Sequence, residues 1–198
     1  MCLLFESIRC ENGLLCNIEY HNNRMNNSLR VLYGVSNSLF VQDIIPQSEI
    51  PNDGIYKCRL AYDNAEFKYE FVKYSMRTIR SVKIVTDDSV SYEHKYSDRG
   101  TLSALVQNSG VDEIIIVKNG LVTDTSFSNI LFFDGEIWFT PNTPLLKGTQ
   151  RQKLLDESRV TEKTITADDI SKYVKIRLIN AMIPFEAEYD IGIDKILK

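Results

Sequence analysis

The sequence predicts an α+β fold of two small mixed domains with largely antiparallel sheets. Two observations carry that expectation. Strand patterns rich in aromatic and β-branched residues outnumber helical ones, and turn-forming pairs such as Asn12-Gly13, Asp63-Asn64, Asn119-Gly120 and Asp134-Gly135 fold successive strands back as hairpins. A polar stretch at 86–92 (TDDSVSY) then divides the strands, so the expected domains are 1–86 and 94–198, with a linker at 87–93.

In chain order, residues 3–10 (LLFESIRC) and 14–18 flank the turn Glu11-Asn12-Gly13 as an N-terminal hairpin. Residues 20–33 space Met25, Leu29, Leu32 and Tyr33 at helical intervals, with Gly34 as the stop. His21, Arg24 and Ser28 share one face of that helix, and spacing alone makes Arg24 a solvated arginine. The segment 37–53, which holds Pro46 and Pro51, reads as a short helix and an irregular connection. Residues 56–62, 67–74 and 82–86 read as an antiparallel meander. A helix over 98–109, capped by Ser97 or Asp98, leads to a buried strand at 111–118. The hairpin 130–133/137–139 follows, with Pro141 ending the pairing, and then a helix over 152–158. The tail is expected to add a helix at 167–173 and strands at 174–179 and 185–189.

Composition narrows the function classes. A net charge of −4 without a Lys/Arg run gives no electrostatic footprint for nucleic acid or an acidic membrane, so small molecules or proteins are the expected partners. Cys2, Cys10, Cys16 and Cys58 show no C-x-x-C spacing and fall mostly in apolar segments, which reads as buried free thiols; no metal is expected. The N-terminus has no signal-peptide core and no apolar run approaches a membrane span, so a cytoplasmic protein is expected.

Polar groups cluster at the ends of the 130–139 hairpin. Thr123-Asp124-Thr125-Ser126 precedes it, and Gly148-Thr149-Gln150 follows at a helix start, where free backbone N–H groups suit a phosphate. With Lys95 at a loop before a helix, these are the parts that pyridoxal 5'-phosphate requires: an amine for its aldehyde, an acid for its ring nitrogen, and donors for its phosphate. Each part alone has an ordinary reading as a surface lysine or a helix cap.

LFESIRCENG is similar to an F-E-T-I-R opening strand, and YHNNRMNNS to an H-x-x-R-L-x-x-S helix. HKYSDRGTLSAL is similar to a K-x-x-x-R lysine segment, GLVTDTSFSNILF to G-x-V-T-E-x-x-x-x-N-x-F, and TPNTPLLKGTQRQKLL to T-P-x-x-x-x-L-L-x-G-I-T-R. In this order they resemble the class IV aminotransferase family, whose fold is that of D-amino-acid and branched-chain aminotransferases and aminodeoxychorismate lyase. The resemblance implies a homodimer with the cofactor in the cleft between two domains. It makes Lys95 the lysine that bonds the cofactor and moves the substrate proton, and Asp124 the partner of the ring nitrogen. It makes Arg24 a phosphate ligand with the N–H groups of Thr149 and Gln150, and puts Asn180 in the loop that closes the phosphate cup. Arg59 becomes a candidate for the substrate carboxylate, beside its plain reading as an exposed strand arginine.

Two departures from the family pattern stand out. Asp124 replaces the usual Glu, one methylene shorter, so the ring must sit closer or a water must intervene. The chain also begins at the F-E-T-I-R-like strand, so any substrate contact from a preceding hairpin is expected to be absent. Asp98-Arg99 after the lysine and Leu178-Ile179-Asn180-Ala181-Met182 near the end resemble aminodeoxychorismate lyases most. That implies a small-molecule amino substrate, 4-amino-4-deoxychorismate, converted to 4-aminobenzoate and pyruvate in folate precursor synthesis. A transaminase for branched-chain or D-amino acids is the alternative, and a cofactor-free binding protein the second.

Overall fold

The computed structural model describes residues 3–197, and the chain forms two compact units, 1–76 with 94–98, and 77–93 with 99–198. The thiol expected at Cys2 lies outside the described residues. Among those residues no helix is long and apolar enough to cross a membrane.

In the first unit, β1 (Leu4–Glu11), β2 (Leu14–Leu15), β3 (Ile55–Tyr62) and β4 (Phe67–Lys73) form a sheet in the order β2-β1-β3-β4. β1 and β3 pair antiparallel along their full length, from Leu4 opposite Tyr62 to Glu11 opposite Ile55. Alternation buries Leu4, Ile8 and Cys10 from β1 with Cys58, Leu60 and Tyr62 from β3. Against that face lies α1 (Ile18–Tyr33), whose buried His21, Met25, Ser28 and Leu29 follow the helical period. Burying Met25 and Leu29 contributes about 1.5–3 kcal/mol each. Gly34 ends the helix as expected, donating its N–H to the Arg30 carbonyl at 3.0 Å. The short helix α2 (Val41–Ile44) follows. Because β2 covers only the C-terminal end of β1, the rest of that edge is open to the segment 94–98. The Phe5 N–H donates to the Lys95 carbonyl at 3.0 Å, and the Ser97 N–H to the Leu3 carbonyl at 2.8 Å.

The second unit contains β5 (Val82–Thr86), α3 (Gly100–Ser109), β6 (Glu113–Lys118), β7 (Leu121–Thr125), β8 (Asn129–Phe133), β9 (Trp138–Pro141) and α4 (Thr149–Asp156). It continues with β10 (Thr161–Lys163), β11 (Lys175–Ile179), β12 (Asp190–Gly192) and β13 (Ile196–Leu197). One sheet runs β10-β9-β8-β11-β12 and the other β13-β5-β6-β7. A shared core of Ile115, Val117 and Val122 from one sheet and Ile130, Phe132, Ile176 and Leu178 from the other joins them.

Several sequence expectations need correction. The third strand of the supposed meander, β5, pairs not with β4 but in parallel with β6. Composition identifies a strand and not its neighbour, and a parallel neighbour needs a long crossover, which residues 87–112 supply with α3 inside. The polar run 87–93, expected as a linker, belongs to that connection. Asp87 donates its N–H to the Val117 carbonyl at 2.9 Å, Asp88 accepts from the Asn119 N–H at 2.7 Å, and the Lys118 ammonium donates to the Val90 carbonyl at 2.6 Å. The N-cap of α3 is Arg99, without a side-chain capping bond, rather than Ser97 or Asp98. The last strand lies at Asp190–Gly192 and Ile196–Leu197 instead of 185–189, where Phe185–Ala187 makes a 3-10 turn.

Candidate active site

The predicted residues fall into two groups, one in each unit. In the first unit, Lys95 is half-buried on the segment that extends the β1 edge, and its ammonium lies 4.7 Å from the centroid of the Phe5 ring. The Arg59 guanidinium lies 4.2 Å from the same ring and donates to the Ser97 hydroxyl at 3.4 Å. Two cations lie against one aromatic ring, each gaining about 0.5–1 kcal/mol from its quadrupole.

Arg24 is not a freely solvated arginine. Its side chain is 13% exposed, Nε donates to Glu6 Oε1 at 2.9 Å, and an Nη2 bond to Glu6 Oε2 makes the pair bidentate. His21, one helical turn earlier, meets Glu6 Oε2 through Nδ1 at 2.6 Å. Burial would raise the Glu6 pKa, but Arg24 and His21 overturn that and hold it at about 2. Burial lowers the His21 pKa against the pull of Glu6, so a neutral imidazole donates from Nδ1. Its buried Nε2 has no hydrogen-bond partner among the described residues. The triad locks the guanidinium plane of Arg24 on α1.

In the second unit, Asp124 sits in β7, 5% exposed, in a strand whose polar side chains are all paired internally. Thr123 donates to the Ile116 carbonyl at 2.9 Å and Thr125 to the Ser128 carbonyl at 3.1 Å. Asp124 Oδ1 accepts from Asn129 Nδ2 at 2.7 Å, and Oδ2 from the Leu146 N–H at 2.9 Å. These donors are neutral, and burial outweighs them, pushing the carboxyl up to about 6. Gly148 is the N-cap of α4, and Thr149 and Gln150, each 3% exposed, begin the helix three residues before the expected 152. Their N–H groups occupy the positive end of the helix dipole.

Asn180 serves its own turn first. Its Oδ1 accepts from the Met182 N–H at 2.8 Å and the Ile183 N–H at 3.0 Å, while Nδ2 donates to the Phe127 carbonyl at 3.3 Å. It therefore holds the 126–128 turn that connects Asp124 to Asn129. The same turn is anchored from beneath by buried Glu113, which accepts from the Ser126 N–H at 2.8 Å, and by Arg99, which donates to the Ser126 carbonyl at 2.5 Å.

The structure thus groups Lys95, Arg59 and Arg24 in the first unit and Asp124, Thr149, Gln150 and Asn180 in the second. Sequence reasoning missed Glu6, Asn129 and Glu113. Glu6 was detectable: an acid two residues from Leu4 and Ile8 shares their inward face. Asn129 stands at the Asn of the G-x-V-T-E-x-x-x-x-N-x-F pattern, which marks the position without giving its role, and Glu113 carries no such signal, because its partners are loop groups that the fold brings to it.

Residues 66–185 match the amino-transferase class IV family. An uncharacterized protein of Haemophilus influenzae (strain Rd) is 39% identical over 183 residues, covering 90% of this chain and 97% of that protein. The solved structure of a candidate 4-amino-4-deoxychorismate lyase from Haemophilus somnus 129PT superposes with a TM-score of 0.87 at 34% identity, over 93% of this chain and 98% of that one. The pyridoxal-phosphate-bound form of a hypothetical aminotransferase from Mycobacterium tuberculosis shares the fold, with a TM-score of 0.74 at 16% identity over 98% of this chain and 81% of that one.

Proposed function

This chain belongs to the class IV aminotransferase family, and we propose that it is a pyridoxal-phosphate-dependent lyase that converts 4-amino-4-deoxychorismate to 4-aminobenzoate and pyruvate. The observation that carries the cofactor assignment is Asp124. A buried carboxylate whose hydrogen bonds come from the neutral Asn129 amide and Leu146 N–H, and which burial pushes up to about 6 even against the charge of Arg151, favours a further cation beside it, and a protonated ring nitrogen is one. The donor set fits the rest of the group, with a half-buried lysine amine, a clamped arginine and a helix start. The 34% identity with a candidate lyase, nearly end to end, supports the choice of reaction.

When bound, pyridoxal phosphate supplies an electron sink for the carbon that bears the substrate amine. Asp124 would keep the ring nitrogen protonated. The Thr149 and Gln150 N–H groups, with Arg24, would hold the phosphate, and Asn180 would steady the turn beside them. Lys95 would bond the cofactor through its amine and then hold the proton taken from the amine-bearing carbon. Arg59, on the Phe5 ring beside Lys95, would orient a substrate carboxylate. Loss of that proton, and departure of the enolpyruvyl oxygen with its electron pair, leave an aromatic ring. The products together contain every atom of the substrate, so no keto acid is consumed. We further infer a homodimer acting on a small amino substrate in folate precursor synthesis, as the family resemblance implies.

The test is pyruvate release from 4-amino-4-deoxychorismate by protein loaded with pyridoxal phosphate, without any keto acid, followed by coupled lactate dehydrogenase. Stoichiometric pyruvate and 4-aminobenzoate are expected. Conversion of the cofactor to its amine form by a branched-chain or D-amino acid, with no pyruvate from 4-amino-4-deoxychorismate, would overturn the lyase in favour of a transaminase.

A further inference from the structure

The side-chain amide of Asn129, at the start of β8, joins two segments far apart in sequence. Its Nδ2 donates to Asp124 Oδ1 at 2.7 Å and to the Leu146 carbonyl at 2.9 Å, while the Leu146 N–H returns to Asp124 Oδ2 at 2.9 Å. Asp124, Asn129 and the Leu146 peptide therefore close a hydrogen-bonded ring, and both amide protons of Asn129 are used. The other end of the amide presses on Gly148, where an added Cβ would lie 1.9 Å from Asn129 Oδ1. Gly148 has φ −69° and ψ 146°, a conformation open to any L residue, so it is the Asn129 oxygen that excludes a side chain there. One residue later α4 begins.

We propose that Asn129 is a positioning residue that couples the two ends of the cofactor site, aiming Asp124 at the ring nitrogen while fixing the loop 145–148 that presents the Thr149 and Gln150 N–H groups to the phosphate. This rests on the reading of the bound group as pyridoxal phosphate. The shorter side chain of Asp has a narrower reach than Glu, and the ring removes its remaining freedom by assigning one donor to each oxygen. The same ring stops the loop from shifting without releasing the carboxylate. An Asn129 with a merely structural role would affect melting but not the protonation behaviour of bound cofactor.

The experiment compares the parent with Asn129→Ser, Gly148→Ala and the double variant, each titrated with pyridoxal phosphate and then scanned for the pH dependence of the cofactor's visible absorbance. Asn129→Ser should weaken binding about tenfold or more, the loss of one hydrogen bond to a charged group, and should move the absorbance titration. Gly148→Ala, which displaces the amide without removing it, should do the same. In the Asn129→Ser background Gly148→Ala should add little, because the oxygen it collides with is gone. Unchanged affinity and an unmoved titration in either folded single variant overturn the proposal, as does full additivity in the double variant. Failure of the parent to take up pyridoxal phosphate overturns the functional reading itself, and this proposal with it.

Discussion

Asp124 holds a carboxylate where ionisation is costly. Burial raises its pKa from 3.8 to about 6, against the opposing pull of the Leu146 N–H, the Asn129 amide and Arg151. A group whose folded pKa exceeds its unfolded one stabilises the fold fully below the unfolded value and loses that contribution as pH rises through the folded value. Relative to Asp124→Asn, the cofactor-free protein should therefore lose about 3 kcal/mol of stability between about pH 4 and about pH 7. Urea titrations of both proteins across that range check it, and parallel pH profiles would contradict it. Bound pyridoxal phosphate should flatten the difference, because a cation beside the carboxylate favours its charged form. Motif order in the sequence singles out Asp124 and Lys95 as candidates. The environment of Asp124 was not legible there, since a polar run before a hairpin says nothing of the Leu146 peptide that folds back onto it.

Among the elements, the joint between β1 and α1 is built on one buried acid. Glu6 takes Arg24 through two bonds and His21 through a third, so the helix is fixed in rotation as well as in position. Glu6→Gln should destabilise the protein by about 3–5 kcal/mol by removing the negative charge that balances Arg24 in a largely buried place. The acid limb tests the same joint. Glu6 falls from its ordinary 4.5 to about 2, so its contribution is present above 4.5 and lost as pH drops toward 2. His21 is lowered from its ordinary 6.5, so the unfolded chain takes up that proton first and stability also falls below about 6.5. Glu6→Gln should remove the carboxylate's share of the acid loss, between about pH 4.5 and about pH 3, while the loss from His21 below about pH 6.5 remains; thermal melts that fall as steeply as the parent's below about pH 4.5 would show that Glu6 does not govern that limb. The helix and its glycine stop were readable from period and capping. The pairing of β5 was not, because a parallel partner is chosen by the crossover and the core of the second unit rather than by anything within 82–86.

At the scale of the whole molecule, the chain distributes its chemistry between two units. The first presents Lys95 and Arg59 on the Phe5 ring with Arg24 clamped by Glu6, and the second presents Asp124 and the start of α4. The α+β class followed from hairpin turns and strand composition; the first unit's sheet is wholly antiparallel, while the second unit mixes antiparallel pairs with the parallel pairs β13/β5, β5/β6 and β10/β9. The divide between the units was less legible. The polar stretch 87–93 looks like a linker by composition, yet its polar groups bind the end of β6. In the proposed function Lys95 carries pyridoxal phosphate. The most direct measurement is borohydride reduction of the loaded protein followed by peptide mass analysis. A single phosphopyridoxyl mass on the peptide that contains Lys95 is expected, and its absence from a folded Lys95→Ala variant. A label on another lysine, or on none, would contradict the account.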